Sequence, residues 1–211
     1  MKRISLFDNI DTMSVNKMLK CFGAKKITYK KDRTILSNVS NTTKFGIIVS
    51  GSANLIRVDY NGIRNIIERL EKDDIFGGPL YTSYNNELSI IATSDTEIIE
   101  FDYSHIIGRC KKNCECHTKL LDNMLQILAN KVSINNEKLL IVSKKTIREK
   151  LLEYFKIMSY KNNSKSFKMT FTLTELADYL AIDRSAMMRE LKNLKTEGFI
   201  EIINKKVYLY F

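Results

Sequence analysis

Residues 172–198 read TLTELADYLAIDRSAMMRELKNLKTEG, and this run decides the fold. Thr172, with Glu175 three residues on, has the form of a capping box: the hydroxyl takes an orphan amide of the first turn and the carboxylate returns to the cap's own amide. A helix is therefore expected from Leu173. Leu176 and Leu180 lie four apart and share one side of it, Ala177 is small enough for a second helix to come close, and Asp178 and the Tyr179 phenol face water. Asp183 is a good N-cap for a second helix opened by Arg184, and Gly198 suits the left-handed residue that ends one. About four turns fit between them. Met187, Leu191 and Leu194, at i, i+4 and i+7, form its buried row, whereas Arg184, Ser185, Met188, Arg189 and Lys192 fall on other faces.

Two helices joined by a tight turn form a helix-turn-helix, whose second helix lays its leading half against base edges. Arginine suits that place because its planar fork matches the O6 and N7 acceptors of guanine. Arg184 and Arg189 are the expected base readers. Ser185 can touch a base or a phosphate, Met188 and Lys192 share the exposed side, and Thr174 opens the first helix. The competing reading is an ordinary helical hairpin whose charges are only solvated. The end of the chain argues against it, since residues 199–203 and 207–211 are apolar, β-prone runs around Asn204, Lys205 and Lys206. Such a hairpin is the wing of a winged helix, and Lys205 and Lys206 at its tip can meet phosphate.

At 211 residues the chain suits two modest domains with a connector. Its net charge of +10 favours polyanionic partners over acidic small substrates. Basic and acidic side chains number 15 against 13 over residues 1–109, 7 against 3 over 110–145 and 12 against 8 over 146–211, so the excess sits mostly in the second half. No apolar run approaches the eighteen or so residues of a membrane span, and Asp8 and Asp11 interrupt the start as a secretory signal. A cytoplasmic chain with reduced cysteines is expected. No serine, histidine and carboxylate set, P-loop or paired metal motif argues for an enzyme.

Residues 1–20 suggest short helices. From Ala24 to Phe101 come short β-prone runs, KITY, TILSNV, KFGIIVSG, ANLIRVDY, IRNIIERL, LSIIAT and EIIEFDY, which imply a nearly closed β-structure with room for one ligand. Tyr60-Asn61-Gly62 reads as a hairpin with a type I′ turn. DDIFGGPL breaks the pattern, either as a loop whose crowded amides form an anion nest or as a plain turn. Leu121, Leu125, Leu128, Val132, Asn135, Leu139 and Val142 then alternate steps of four and three, the seam of a coiled coil. A helix of roughly 35 Å exceeds what one small barrel can hide, so pairing with a second copy is expected, with Asn135 setting register; packing inside its own subunit is the alternative. Ile147, Leu151, Phe155 and Met158 mark a further amphipathic helix.

Taken together, YKKDRTILSNVSNTTKFGIIVSGSANLIRVDYNG with DDIFGG, HTKLLDNMLQILANKVSINNEKL with SKKTIREKLLEYF, and LTELADYLAIDRSAMMRELKNLKTEGFIE resemble the Crp/Fnr family of bacterial transcription regulators across nearly the whole chain. The resemblance implies an α+β chain in three parts. Residues 1–109 would form an antiparallel, jelly-roll-like β-roll of cyclic-nucleotide-binding-domain type that senses an effector. Residues 110–145 would form the dimerisation helix and 146–211 the winged helix-turn-helix. It further implies a homodimer on two-fold symmetric double-stranded DNA, with RNA polymerase as a partner and no membrane. Arg184, Ser185 and Arg189 match the family's base-contacting positions; glutamate is frequent at the place of Ser185, so the target site should differ from those of well-known members. The effector pocket falls on Phe76, Gly77, Gly78, Pro79, Leu80 and Ile90. Members that bind cyclic AMP usually follow the Phe-Gly pair with a glutamate and later carry an Arg-Ser or Arg-Thr pair; here Gly78 follows Gly77 and NNELSIIA has no arginine. The implied effector is thus an unidentified small molecule other than cyclic AMP.

Cys110, Cys114 and Cys116, with His117, form C-x3-C-x-C-H at the mouth of the long helix. Three thiols and an imidazole suit zinc or an iron–sulfur cluster, though the spacing matches no standard finger or ferredoxin. Reduced cysteines in a helix-entry turn and a thiol redox switch are the other readings, and the first is preferred. His105 reads as structural. A sensing module that acts through protein contacts is the competitor to the DNA-binding regulator.

Overall fold

The computed structural model describes residues 5–37, 42–58, 60–77, 80–81, 88–108 and 115–211. The chain divides into two compact units, one running to Lys131 and one from Val132 to Phe211.

The first unit opens with helix α1 (Thr12–Cys21), capped by Asp11, whose carboxylate accepts the Ser14 amide at 2.9 Å. Eight strands come next: β1 (Lys25–Tyr29), β2 (Thr34–Ser37), β3 (Lys44–Ser50), β4 (Ser52–Val58), β5 (Arg64–Glu71), β6 (Ile75–Gly77), β7 (Leu88–Ala92) and β8 (Thr96–Asp102). They pair antiparallel in two four-stranded sheets, ordered β1, β8, β3, β6 and β2, β7, β4, β5. A short helix α2 (Ser104–Ile107) and the long helix α3 (Glu115–Val142) complete the order.

Period-two alternation sorts the strand side chains between two cores. Ile35, Ile48, Leu55, Leu70, Phe76, Ile90 and Ile98, drawn from both sheets, form one buried cluster. Phe45, Ile47, Ile75 and Phe101 point the other way, into a second cluster with Phe22, Ile106 and Leu120, Met124 and Ile127 of α3. Gly46 is required by the first cluster: the Phe76 ring lies where a Cβ would stand, 2.2 Å from its Cζ. The buried Asn123 of α3 donates to the carbonyls of Leu6 (3.1 Å) and Asp8 (2.8 Å), which ties the N-terminal turn to that helix.

Two expectations change. DDIFGGPL is not wholly a break, because Ile75–Gly77 is a strand paired with β3 through Phe45↔Gly77, Gly46↔Phe76 and Ile47↔Ile75. Three residues are too few to display a period, and Gly77 leaves the strand at φ +84°. The hairpin between β4 and β5 forms, but not on a two-residue type I′ turn: pairing stops at Val58 and resumes at Arg64, with Gly62 left-handed at +78° and Asn61 not. The double left-handed turn occurs elsewhere, at Asn204 (+48°) and Lys205 (+65°).

The second unit carries the end of α3, then α4 (Ile147–Asn162), β9 (Ser166–Lys168), α5 (Leu173–Leu180), α6 (Arg184–Thr196), β10 (Ile200–Ile203) and β11 (Lys206–Leu209). The strands form one antiparallel sheet, ordered β10, β11, β9. Leu151 and Phe155 of α4, Leu176 and Leu180 of α5, Met187, Leu191 and Leu194 of α6, and Phe167, Ile200 and Val207 of the sheet are all buried. Each helix thus turns one stripe inward.

Candidate nucleic-acid interface

The caps and buried rows of α5 and α6 are the ones read from the sequence, but Asp178 and Tyr179 are half-buried rather than turned to water, the Tyr179 ring stacking on Phe171 at 4.8 Å. The Thr172 hydroxyl accepts the Glu175 amide at 3.2 Å, and the Glu175 carboxylate accepts the Thr172 amide at 2.8 Å. Ala181 turns left-handed (φ +52°) to end α5, and the Asp183 carboxylate accepts the Ala186 amide at 2.7 Å to start α6. Gly198 is left-handed after the last turn, at +75°. With Met187, Leu191 and Leu194 buried, α6 leaves Arg184, Ser185, Met188, Arg189 and Lys192 exposed. At about 100° per residue these five cover an arc of roughly 140° on the side away from the core. Among the described residues no carboxylate pairs with Arg184, Arg189 or Lys192, so their donors face solvent. Thr174 is exposed on α5.

The hairpin of β10 and β11 presents Lys205 and Lys206, both exposed. Lys206 Nζ stands 5.1 Å from the Tyr208 ring centroid. Sequence reasoning missed Lys168, which the register sets directly across from Lys206 on β9. Nothing local in residues 166–168 signals that pairing.

Arg148 was missed as well. Its Nη1 donates to Glu190 Oε1 at 3.2 Å and to Glu197 Oε1 at 3.0 Å, its Nη2 bonds Glu197 Oε2, and its guanidinium lies 5.1 Å from the Phe199 ring. The bonded guanidinium holds the Glu197 carboxyl below its ordinary range, and Arg148 is raised in return.

Along α3, Leu121, Leu125, Val132, Asn135 and Leu139 are exposed, three of them strongly: Leu125 68%, Val132 59% and Leu139 63%. Leu128 departs from the expected seam, being half-buried against the core shared with Leu120, Met124 and Ile127. Three residues further on, Lys131 Nζ bonds Glu68 Oε1 of β5, while Glu68 Oε2 accepts the Tyr81 hydroxyl at 2.7 Å. Burial, then the Glu68 charge, pushes the Tyr81 phenol well above its usual pKa and keeps it a donor.

Of the residues expected around an effector, only some are described. Phe76 and Ile90 are buried in the core between the sheets, Leu80 packs half-buried on the other core, and Gly78 and Pro79 lie outside the described residues. Cys110 and Cys114 also lie outside them. Cys116 is half-buried, and a His117 ring nitrogen bonds the Ile106 carbonyl at 2.7 Å. His105 is engaged likewise with the Phe22 carbonyl at 2.8 Å. No group of three metal-ligating side chains occurs among the described residues.

A family profile described as the cyclic nucleotide-binding domain matches residues 26–113. The transcriptional activator protein FnrL of Cereibacter sphaeroides is 22% identical over 188 residues, 85% of this chain and 73% of that protein. Among solved structures, the c-di-GMP responsive regulator CLP of Xanthomonas campestris superposes with a TM-score of 0.73 at 15% identity, over 95% of this chain and 100% of its own. A mutant of CooA from Carboxydothermus hydrogenoformans gives 0.72 at 18% identity, over 98% and 93%. A cyclic nucleotide asks its site for a cation opposite the phosphate. Among the described residues the buried polar side chains are Asn54, Thr96 and Asn123, none of them cationic, and the Lys131 ammonium is taken by Glu68.

Proposed function

We propose, from the premise that the chain belongs to the Crp/Fnr family of transcription regulators, that it acts as a homodimer reading a two-fold symmetric site in double-stranded DNA. The observation that carries this reading is the division of α6 into a buried row of Met187, Leu191 and Leu194 and a separate exposed arc bearing Arg184, Ser185, Arg189 and Lys192. Arg184 and Arg189 read guanine edges, Ser185 meets a base or a phosphate, and Lys168, Lys192, Lys205 and Lys206 hold the backbone. The exposed Leu125, Val132 and Leu139 pair α3 with its copy, which sets the two α6 helices in successive major grooves about 34 Å apart.

Residues 1–109 sense an effector, 110–145 pair and 146–211 bind DNA, with RNA polymerase as the machinery the bound dimer acts on. The effector is a small molecule other than cyclic AMP, a reading supported by the sequence, where Gly78 follows Gly77 and residues 85–92 hold no arginine.

The test compares a duplex enriched by the parent protein from a random-sequence pool with a scrambled duplex of the same composition. Arg184→Ala or Arg189→Ala should each cost about 1–3 kcal/mol on the enriched duplex and little on the scrambled one, whereas Lys205→Ala should weaken both and flatten the salt dependence. Equal affinity of the parent for the two duplexes sinks the reading.

A further inference from the structure

We propose that Arg148 of α4 is a positioning residue for base reading, which fixes the rotation of α6 about its own axis through a fork on Glu190 and Glu197. The proposal rests on the DNA-binding reading above and assigns to it a residue that faces no groove.

Glu190 on α6 and Glu197, the residue that caps its C-terminus, stand seven residues apart, so their backbones are two turns and about 10 Å apart along the axis while their carboxylates meet at one guanidinium. One guanidinium reaches both: Nη1 bonds Glu190 at 3.2 Å and Glu197 at 3.0 Å, and Nη2 closes the bidentate contact to Glu197. Two contacts at different heights resist roll and tilt together. Glu190 Oε2 also accepts from the Asn193 side-chain Nδ2 at 3.2 Å, so the same stripe is braced within the helix. The Phe199 ring 5.1 Å away backs the guanidinium where the chain leaves α6 for the wing, so recognition helix and hairpin share one anchor.

At about 100° per residue, Glu190 and Glu197 lie roughly 160° round the helix from the middle of the arc that carries Arg184, Ser185 and Arg189. Held on one side, the helix presents the other. Release of the fork lets α6 roll, and a roll of about 10° shifts atoms 5–6 Å from the axis by about 1 Å, beyond the tolerance of a bidentate contact. Met187, Leu191 and Leu194 keep the helix docked, but apolar packing is non-directional and specifies azimuth less sharply.

The full-length homodimer is tested on the enriched and scrambled duplexes. Arg148→Lys keeps the charge but loses the bidentate contact to Glu197, since an ammonium is a point donor without a planar fork. Its affinity for scrambled DNA, its salt slope and its melting temperature should match the parent's, while the ratio of enriched to scrambled affinity falls about tenfold. Glu197→Gln gives a second arm of opposite electrostatic sign: removal of a negative charge favours binding to phosphate, yet loss of the bidentate contact should lower the same ratio. An unchanged ratio in both variants, or a fall in both affinities by one factor, overturns the assignment. If the parent itself does not discriminate, the DNA-reading function fails and takes this proposal with it; if the parent discriminates and both variants do so equally, this proposal alone fails.

Discussion

Replacing Leu125 and Leu139 by glutamate puts the pairing surface of α3 to a quantitative test. In the single chain these side chains are 68% and 63% exposed, so about two thirds of each waits to be covered. Full burial of a leucine is worth about 1.5–3 kcal/mol, which leaves about 1–2 kcal/mol per side chain to be gained on pairing. Four such leucines meet in a homodimer, giving about 4–8 kcal/mol, or roughly three to six orders of magnitude in Kd. The charge introduced adds repulsion across the seam. Because neither leucine belongs to a core of its own subunit, the double variant should keep its far-ultraviolet dichroism while sedimenting as a monomer. Its affinity for a two-fold symmetric duplex should fall to that of a single winged helix. A parent that is monomeric at micromolar concentration, or a double variant that sediments as a dimer alongside it, refutes the reasoning.

Lys131→Met strands the Glu68 carboxylate; with 13% and 14% of the two side chains exposed, the loss should be about 2–4 kcal/mol in urea unfolding. Adding Glu68→Gln, which removes the stranded charge but keeps an acceptor for Tyr81, should recover most of it, and no recovery would show that the pair is not the source. The Asp102 carboxyl is lowered to about 2, first by the Ser104 hydroxyl, then by the Thr43 hydroxyl and the Ser104 amide. A depressed folded-state pKa means that this contribution is whole above about pH 4 and lost as pH falls through about 2. Asp102→Asn should therefore flatten the acid limb of a stability–pH profile, and an identical limb would count against the hydrogen bonds. Thr172→Ala removes the acceptor of the Glu175 amide and should destabilise the second unit by about 1 kcal/mol in thermal unfolding, against no change if the cap is idle.

How far this fold was legible in the sequence depends on the range of the interactions involved. Thr172, Glu175, Asp183 and the row of Met187, Leu191 and Leu194 act within one or two turns, so spacing alone placed them. The strands of the β1, β8, β3, β6 sheet alternate because that sheet has one face on each core, and that pattern is local too. Lys168 was invisible because its neighbour Lys206 comes through strand pairing across 38 positions. Arg148 meets its partners 42 and 49 residues away, and an arginine in the first turn of an amphipathic helix reads as a solvated charge. Glu68 escaped for another reason: the ladder between β4 and β5 slips between Leu55 and Ile56, so the residues opposite them are Glu68 and Ile66 and alternation no longer predicts the direction of Glu68. The effector is a matter of chemistry rather than period, and the apolar core between the sheets names no ligand.

Leu128 shows how one helix misleads a periodic reading and why that matters for signalling. Up to Lys131, α3 carries two apolar stripes: Leu120, Met124, Ile127 and Leu128 on the core of the roll unit, and Leu121 and Leu125 turned to solvent. A search for steps of three and four sees the union of the stripes and assigns Leu128 to the seam. Beyond Lys131 the apolar residues exposed on α3 include Val132 and Leu139. An effector alters DNA affinity only if it binds one arrangement of the dimer more tightly than another. Glu68 of β5 and Tyr81 are fastened to Lys131, so β5 is held to the stretch of α3 that carries Leu121 and Leu125, and a ligand that moves β5 would move that solvent-facing stripe.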